Sequence, residues 1–211
     1  MYCPKCGNSG RTLDGSLCDC QLSKDTFYAD LQGIDIPEQY QGALFTKALV
    51  PNDCIDGYGE ILAKLHAEIT TMQLQHQNLC ICSPPAHSKT IWAYSCIQNL
   101  FRQRLPVIPL YDVMELRKMM MDYDTGRSNE ADILSVRYLF VRIQAEVTYQ
   151  VRATIATLID RRVRRGNSTI FLYNGTWKSL TFGDESGLLK GLKGDGSFSS
   201  IHVYNYPLRG G

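Results

Sequence analysis

The stretch Asn78-Leu-Cys-Ile-Cys-Ser83-Pro-Pro-Ala-His-Ser-Lys-Thr90, continued by a helical pattern to Arg104, decides how the rest of the chain is read. An apolar run, a short loop and a helix follow one another without a gap. That order frames a phosphate-binding loop, and residues 83–90 have the length and Lys-Thr ending of G-x-x-x-x-G-K-[ST]. Ser83 and Ser88 stand where both glycines belong. Glycine serves there because backbone N–H groups must close around phosphate oxygens with no Cβ in the way. Serine is small and keeps a donor. The candidate nucleotide site is therefore Ser83, Ser88, Lys89 and Thr90, with Lys89 placed to meet a phosphate and Thr90 to meet magnesium.

Working outward, helices alternate with strands. Residues 57–74 read as a helix, with Ile61, Leu62, Leu65 and Ile69 on one face and Glu60, Lys64 and Glu68 outside. His66 on this helix and His76 beyond it read as partly exposed surface side chains. Residues 107–111 are expected to form a second strand and 114–122 a helix, with Met114 and Met119 to Met121 filling core or groove. The polar segment 123–135 reads as loop. Residues 136–143 are an apolar strand interrupted by Arg137 and Arg142, and 147–163 a long amphipathic helix that Gly166 ends. Strands follow at 168–173 and 201–206, separated by a glycine-rich loop over 183–196. This alternation predicts the α/β class: a five-stranded, mostly parallel sheet covered on both faces.

The 211 residues allow one medium domain plus a small appendage, and the 44% apolar content is that of a globular chain. A net charge of +1 supplies no global field toward nucleic acid or membrane, so any such binding needs a local patch. No apolar run nears the ~18 residues that span a bilayer, and no secretory h-region is visible, so a soluble cytoplasmic protein without a membrane partner is expected. Eight cysteines then read as thiols or metal ligands rather than disulfides. Cys3, Cys6, Cys18 and Cys20 form two close pairs, C-x-x-C and C-x-C, separated by eleven residues. Four thiolates so arranged predict a structural zinc site, because so short a segment has no core of its own. Cys54, Cys80, Cys82 and Cys96 lack ligand spacing and read as buried thiols. Residues 1–22 are thus a zinc-binding segment, 23–56 a turn-rich approach, and 57–211 the main domain.

Several segments, in order, resemble the DnaC/DnaI-type helicase loaders and the related IstB-type transposition ATPases, a branch of the AAA+ P-loop proteins. The N-terminal Cys-Pro-Lys-Cys-Gly…Cys-Asp-Cys is similar to the zinc segment of many phage and Gram-positive members. Gly33-Ile-Asp-Ile-Pro-Glu-Gln-Tyr40…Phe45 resembles the stretch before their ATPase core, and Val107 to Arg117 their second strand and following helix. Leu158 to Asn174 resembles "LinrRyerGkptIitSN", whose last residue is sensor 1, so Asn174 joins the candidate nucleotide site. The resemblance implies a hexameric DnaB-type replicative helicase as partner, zinc as cofactor, ATP with magnesium as a further candidate cofactor, and homo-oligomers as a possible assembly.

Departures from that pattern bear on chemistry. An acidic pair at the end of the third strand would hold magnesium and orient the attacking water. Val141 and Arg142 occupy those positions, and Glu146 is displaced by about a helical turn. No arginine lies between Gly187 and Arg209 to reach a neighbouring subunit's nucleotide. The chain stops about where the fifth strand ends, so no helical lid is expected. The readings left open are a replication accessory protein that promotes helicase loading without hydrolysis, an active ATPase of the loader or transposition-helper type, and a structural subunit of another nucleoprotein assembly. Arg152, Arg161, Arg162, Arg164 and Arg165 form the one dense basic patch. It suits single-stranded DNA or an acidic partner, or is simply a solvated helix end complementing the macrodipole.

Overall fold

The computed structural model describes residues 36–45, 57–74, 77–84, 87–124, 130–144, 146–182, 189 and 201–205. Cys3, Cys6, Cys18, Cys20 and Cys54 lie outside them, as do His76 and the glycine-rich 183–196 apart from Leu189. The chain divides into two compact units, residues 1–42 and 43–211. In the first, Pro37 leads into a 3-10 turn at Glu38–Tyr40, and the Gln41 side chain donates to the Ile36 carbonyl at 3.1 Å.

The second unit runs α1 (Tyr58–Thr70), β1 (Asn78–Ser83), α2 (His87–Arg102), β2 (Tyr111–Asp112), α3 (Val113–Asp124), α4 (Glu130–Ser135), β3 (Tyr138–Ile143), α5 (Tyr149–Val163), β4 (Ser168–Asn174), α6 (Trp177–Leu180) and β5 (Ile201–Asn205). The strands form one sheet in the order β2-β3-β4-β1-β5, and every pairing is parallel. Parallel strands need helical crossovers, which cover both faces and explain why β1, β3 and β4 are apolar almost throughout. One face packs Cys80, Cys82, Leu139, Val141, Phe171 and Tyr173 on Leu116 of α3 and on Ile155, Leu158 and Ile159 of α5. On the other, Trp92 of α2 meets Phe140 edge-on at 5.9 Å and donates its indole N–H to the Leu62 carbonyl at 2.7 Å. Tyr138 spans the same face and donates to the Leu74 carbonyl at 2.7 Å.

Three sequence expectations need correction. The second strand is only two residues long. Pro106 and Pro109 bring no N–H to a ladder, so residues 105–110 run without regular structure. The expected loop over 123–135 contains α4, whose Ile133 and Leu134 are buried. Of the methionines, Met120 is buried, but Met114 and Met121 are exposed. His66 is partly exposed, as expected, with Phe45 stacked on its ring and Ser95 Oγ 3.0 Å from Nε2. Cys80, Cys82 and Cys96 are buried free thiols, as expected.

Candidate functional site

In an open parallel sheet, ligands bind beyond the carboxyl ends of the strands, where successive crossovers leave in opposite directions. Here that point lies between β1 and β4. The chain leaves β1 toward β2 on one side, and leaves β4 to reach β5 on the other. Ser83 and Asn174 face each other in the register there, and Gly175 N–H donates to the Ser83 carbonyl at 3.0 Å. A Cβ on Gly175 would come within 2.6 Å of the Tyr173 ring and 2.9 Å of Ser179 Oγ, so any other residue there would have to push those side chains aside. Strand alternation puts Ser83, Asn174 and Arg142 on one sheet face, the face covered by α1 and α2. The fold thus brings Ser83, Lys89 and Asn174 together at the carboxyl end of the sheet, with Ser88 and Thr90 on either side of Lys89 in the first turn of α2.

Lys89 does not reach outward. It is 2% exposed. Its ammonium donates to the Ser83 carbonyl at 2.9 Å, to Ser83 Oγ at 2.6 Å and to the Pro84 carbonyl at 2.9 Å. Ser83 Oγ is also 3.1 Å from the hydroxyl of Tyr58, a fully buried side chain in the first turn of α1. A buried ammonium must be hydrogen-bonded to be tolerated, and here the loop's own oxygens meet that need. Ser88, 1% exposed, has a hydroxyl with no partner among the described residues. Thr90 is half-buried and Asn174 exposed.

At the end of β3 the donor set is wrong for magnesium, which takes hard oxygen ligands. Val141 is fully buried and apolar. Arg142 is half-buried, its Nε shielded from solvent and without a partner among the described residues. A guanidinium repels a divalent cation, and neither side chain can take a proton from water. Glu146, beyond the strand, is exposed.

The basic patch is corrected by the structure. Arg162 is the fully buried keystone of the opposite sheet edge. It donates from Nε to Thr169 Oγ1 at 3.0 Å, and from its terminal nitrogens to the carbonyls of Ile133, Val136 (2.9 Å) and Ser168 (2.7 Å). Burial, and then the nearby Arg165, pull it down to about 9. Arg152 is 7% exposed and donates to the Val147 and Phe182 carbonyls. Neither can follow a phosphate backbone. Arg164 and Arg165 are exposed and Arg161 is half-buried, with Arg164 paired to Asp160 at 2.9 Å. They sit at the end of α5 next to the first residues of β3 and β4, the edge remote from the crevice. Sequence reasoning missed Tyr58 and Gly175. Gly175 follows the sensor position directly, and a glycine leaving a strand is a signal of close approach. Nothing local marks Tyr58.

No protein-family model matches the chain, and no curated protein does. Solved structures do. DnaI is similar with a TM-score of 0.55 and 13% identity, covering 83% of this chain and 93% of DnaI. The DnaC helicase loader has a TM-score of 0.51 and 12% identity, covering 80% of this chain and 100% of the loader. The replication initiator DnaA bound to AMPPCP and single-stranded DNA has 0.53 and 11%, covering 75% of this chain. The chain spans about half the length of that initiator, 49%. At such identities the likeness is one of fold: an α/β core with an all-parallel five-stranded sheet, shared with DnaC and DnaI. No helix among the described residues is long and apolar enough to cross a membrane.

Proposed function

We propose that this protein is a DNA replication accessory factor that binds a hexameric DnaB-type replicative helicase and promotes its loading without hydrolysing ATP. The observation that carries the reading is the end of β3. A retained core of loader type has Val141 and Arg142 where hydrolysis needs carboxylates. Binding energy does the work in this mechanism: contacts with helicase subunits that are stronger in an opened ring bias the ring toward that state. The segment over Cys3 to Cys20, stapled by zinc, grips the helicase. Arg161, Arg164 and Arg165 supply a cationic surface for single-stranded DNA or an acidic partner face. The loading partner and the cytoplasmic setting are supported by the likeness of the core to DnaC.

The test is co-purification with a replicative helicase, using the full chain and a chain lacking residues 1–22, alongside a phosphate-release assay with magnesium and ATP. Helicase capture by the full chain, weakened by the truncation, with phosphate release at the blank level, is expected. Loss of capture in both forms, or brisk magnesium-dependent phosphate release, removes the reading.

A further inference from the structure

We infer that Ser83 and Tyr58 hold the candidate anion site shut by keeping Lys89 inside the protein, and that removing the Ser83 hydroxyl opens the site to triphosphate. The inference rests on the proposed reading that this core is a non-hydrolysing relative of the loaders, and adds a regulation of its crevice.

An ammonium has three N–H bonds. The acceptors of Lys89 Nζ include the Ser83 carbonyl, Ser83 Oγ and the Pro84 carbonyl. Any residue at 83 would supply the carbonyl; only a hydroxyl-bearing side chain supplies the shortest contact, at 2.6 Å. The serine in a glycine's place therefore does more than crowd the loop. It adds an acceptor pointed at the lysine. That hydroxyl is itself positioned by Tyr58, whose oxygen lies 3.1 Å away on a different element, α1. Tyr58, Ser83 and Lys89 are all 2% exposed or less, so water cannot take over any of these bonds. Meanwhile Ser88, in the first turn of α2, keeps a buried hydroxyl with no partner among the described residues. A phosphate oxygen would satisfy it. The start of α2 thus holds a buried hydroxyl with no partner among the described residues, next in sequence to a cation held by the loop's own oxygens.

For a phosphate to bind, Lys89 must leave these acceptors, and the Ser83 hydroxyl must find a new donor beside Tyr58. Taking away that hydroxyl removes one charge-assisted bond from the closed state, which shifts binding by about tenfold. Phenylalanine at 58 loosens the hydroxyl without removing it, so its effect has the same sign and is smaller.

Isothermal titration of the full-length protein with ATP, with and without magnesium, tests this in wild type, Ser83→Ala, Tyr58→Phe and the double variant Ser83→Ala with Lys89→Ala. Ser83→Ala should bind ATP about tenfold more tightly than wild type. Tyr58→Phe should bind more tightly by a smaller factor, and the double variant should lose the gain. Ser83→Ala binding no better than wild type, including no measurable binding by either, overturns the inference. So does a gain that survives loss of Lys89. If Ser83→Ala does not fold, as judged by circular dichroism, Tyr58→Phe decides alone: no gain sinks the proposal. Helicase capture by Ser83→Ala separates the two ideas. Capture without an ATP gain removes only the latch, and a gain without capture removes only the proposed function.

Discussion

A basic residue near a helix end can be a surface charge or a structural tie, and Arg162 is the second. Five N–H donors in a planar fork suit it to several acceptors at once. The fork gathers carbonyls from α4, from the start of β3 and from the start of β4. Its neighbours Arg164 and Arg165 show what the alternative looks like, exposed and at most paired within their own helix. Replacing Arg162 by Ala strands those carbonyls in a dry site. Unfolding free energy from urea titration should fall by about 3 kcal/mol or more. Lysine should fail to rescue it, because one ammonium cannot span acceptors on three segments. Lys89 follows the same physics at the opposite sheet edge, where the buried cation is satisfied by its own loop.

At the level of elements, β2 and α3 are made by local chemistry more than by apolar pattern. The strand is only Tyr111–Asp112, and Asp112 closes it and opens the helix at once. Its Oδ1 accepts from Met114 N–H at 2.9 Å, while Glu115 Oε2 accepts from Asp112 N–H at 2.7 Å, a reciprocal cap. Asp112→Ala should destabilise the protein by about 1 kcal/mol in the same titration, and Asp112→Asn by less. The missed α6 has the same logic: Thr176 and Ser179 cap each other over a single turn. So short a helix has too few residues for periodicity to show, and only the cap announces it. The failed strand over 107–111 is the converse case. Val107 and Ile108 have strand propensity, but Pro106 and Pro109 on either side deny the ladder its donors.

For the whole molecule, the sheet separates two regions of different character. The carboxyl edge carries the crevice with its inward lysine; the amino edge carries the surviving arginines. Global stability should also depend on pH through His66. Its Nε2 lies 3.0 Å from Ser95 Oγ and 3.4 Å from Asn99 Nδ2, which can only donate, a contact that suits a neutral ring with Nε2 as acceptor. Burial lowers its pKa below the ordinary 6.5. Below pH 6.5 the unfolded chain therefore binds a proton that the folded one refuses, and stability falls with pH until the lowered folded pKa is passed. Urea midpoints at pH 7 and pH 5 should show this loss in wild type and a smaller one in His66→Gln. Equal losses in both would mean that other groups set the acid limb.

The alternation of strands and helices, and the strand followed closely by a helix within residues 78–104, were legible in the residues alone. Each is a matter of local period. Where Lys89 points, and which of five arginines face water, were decided only in three dimensions. Burial of a polar side chain depends on whether acceptors from distant segments converge on it, as Ile133, Val136 and Ser168 converge on Arg162. No local period encodes that meeting, because it exists only once β3, β4 and α5 have packed together.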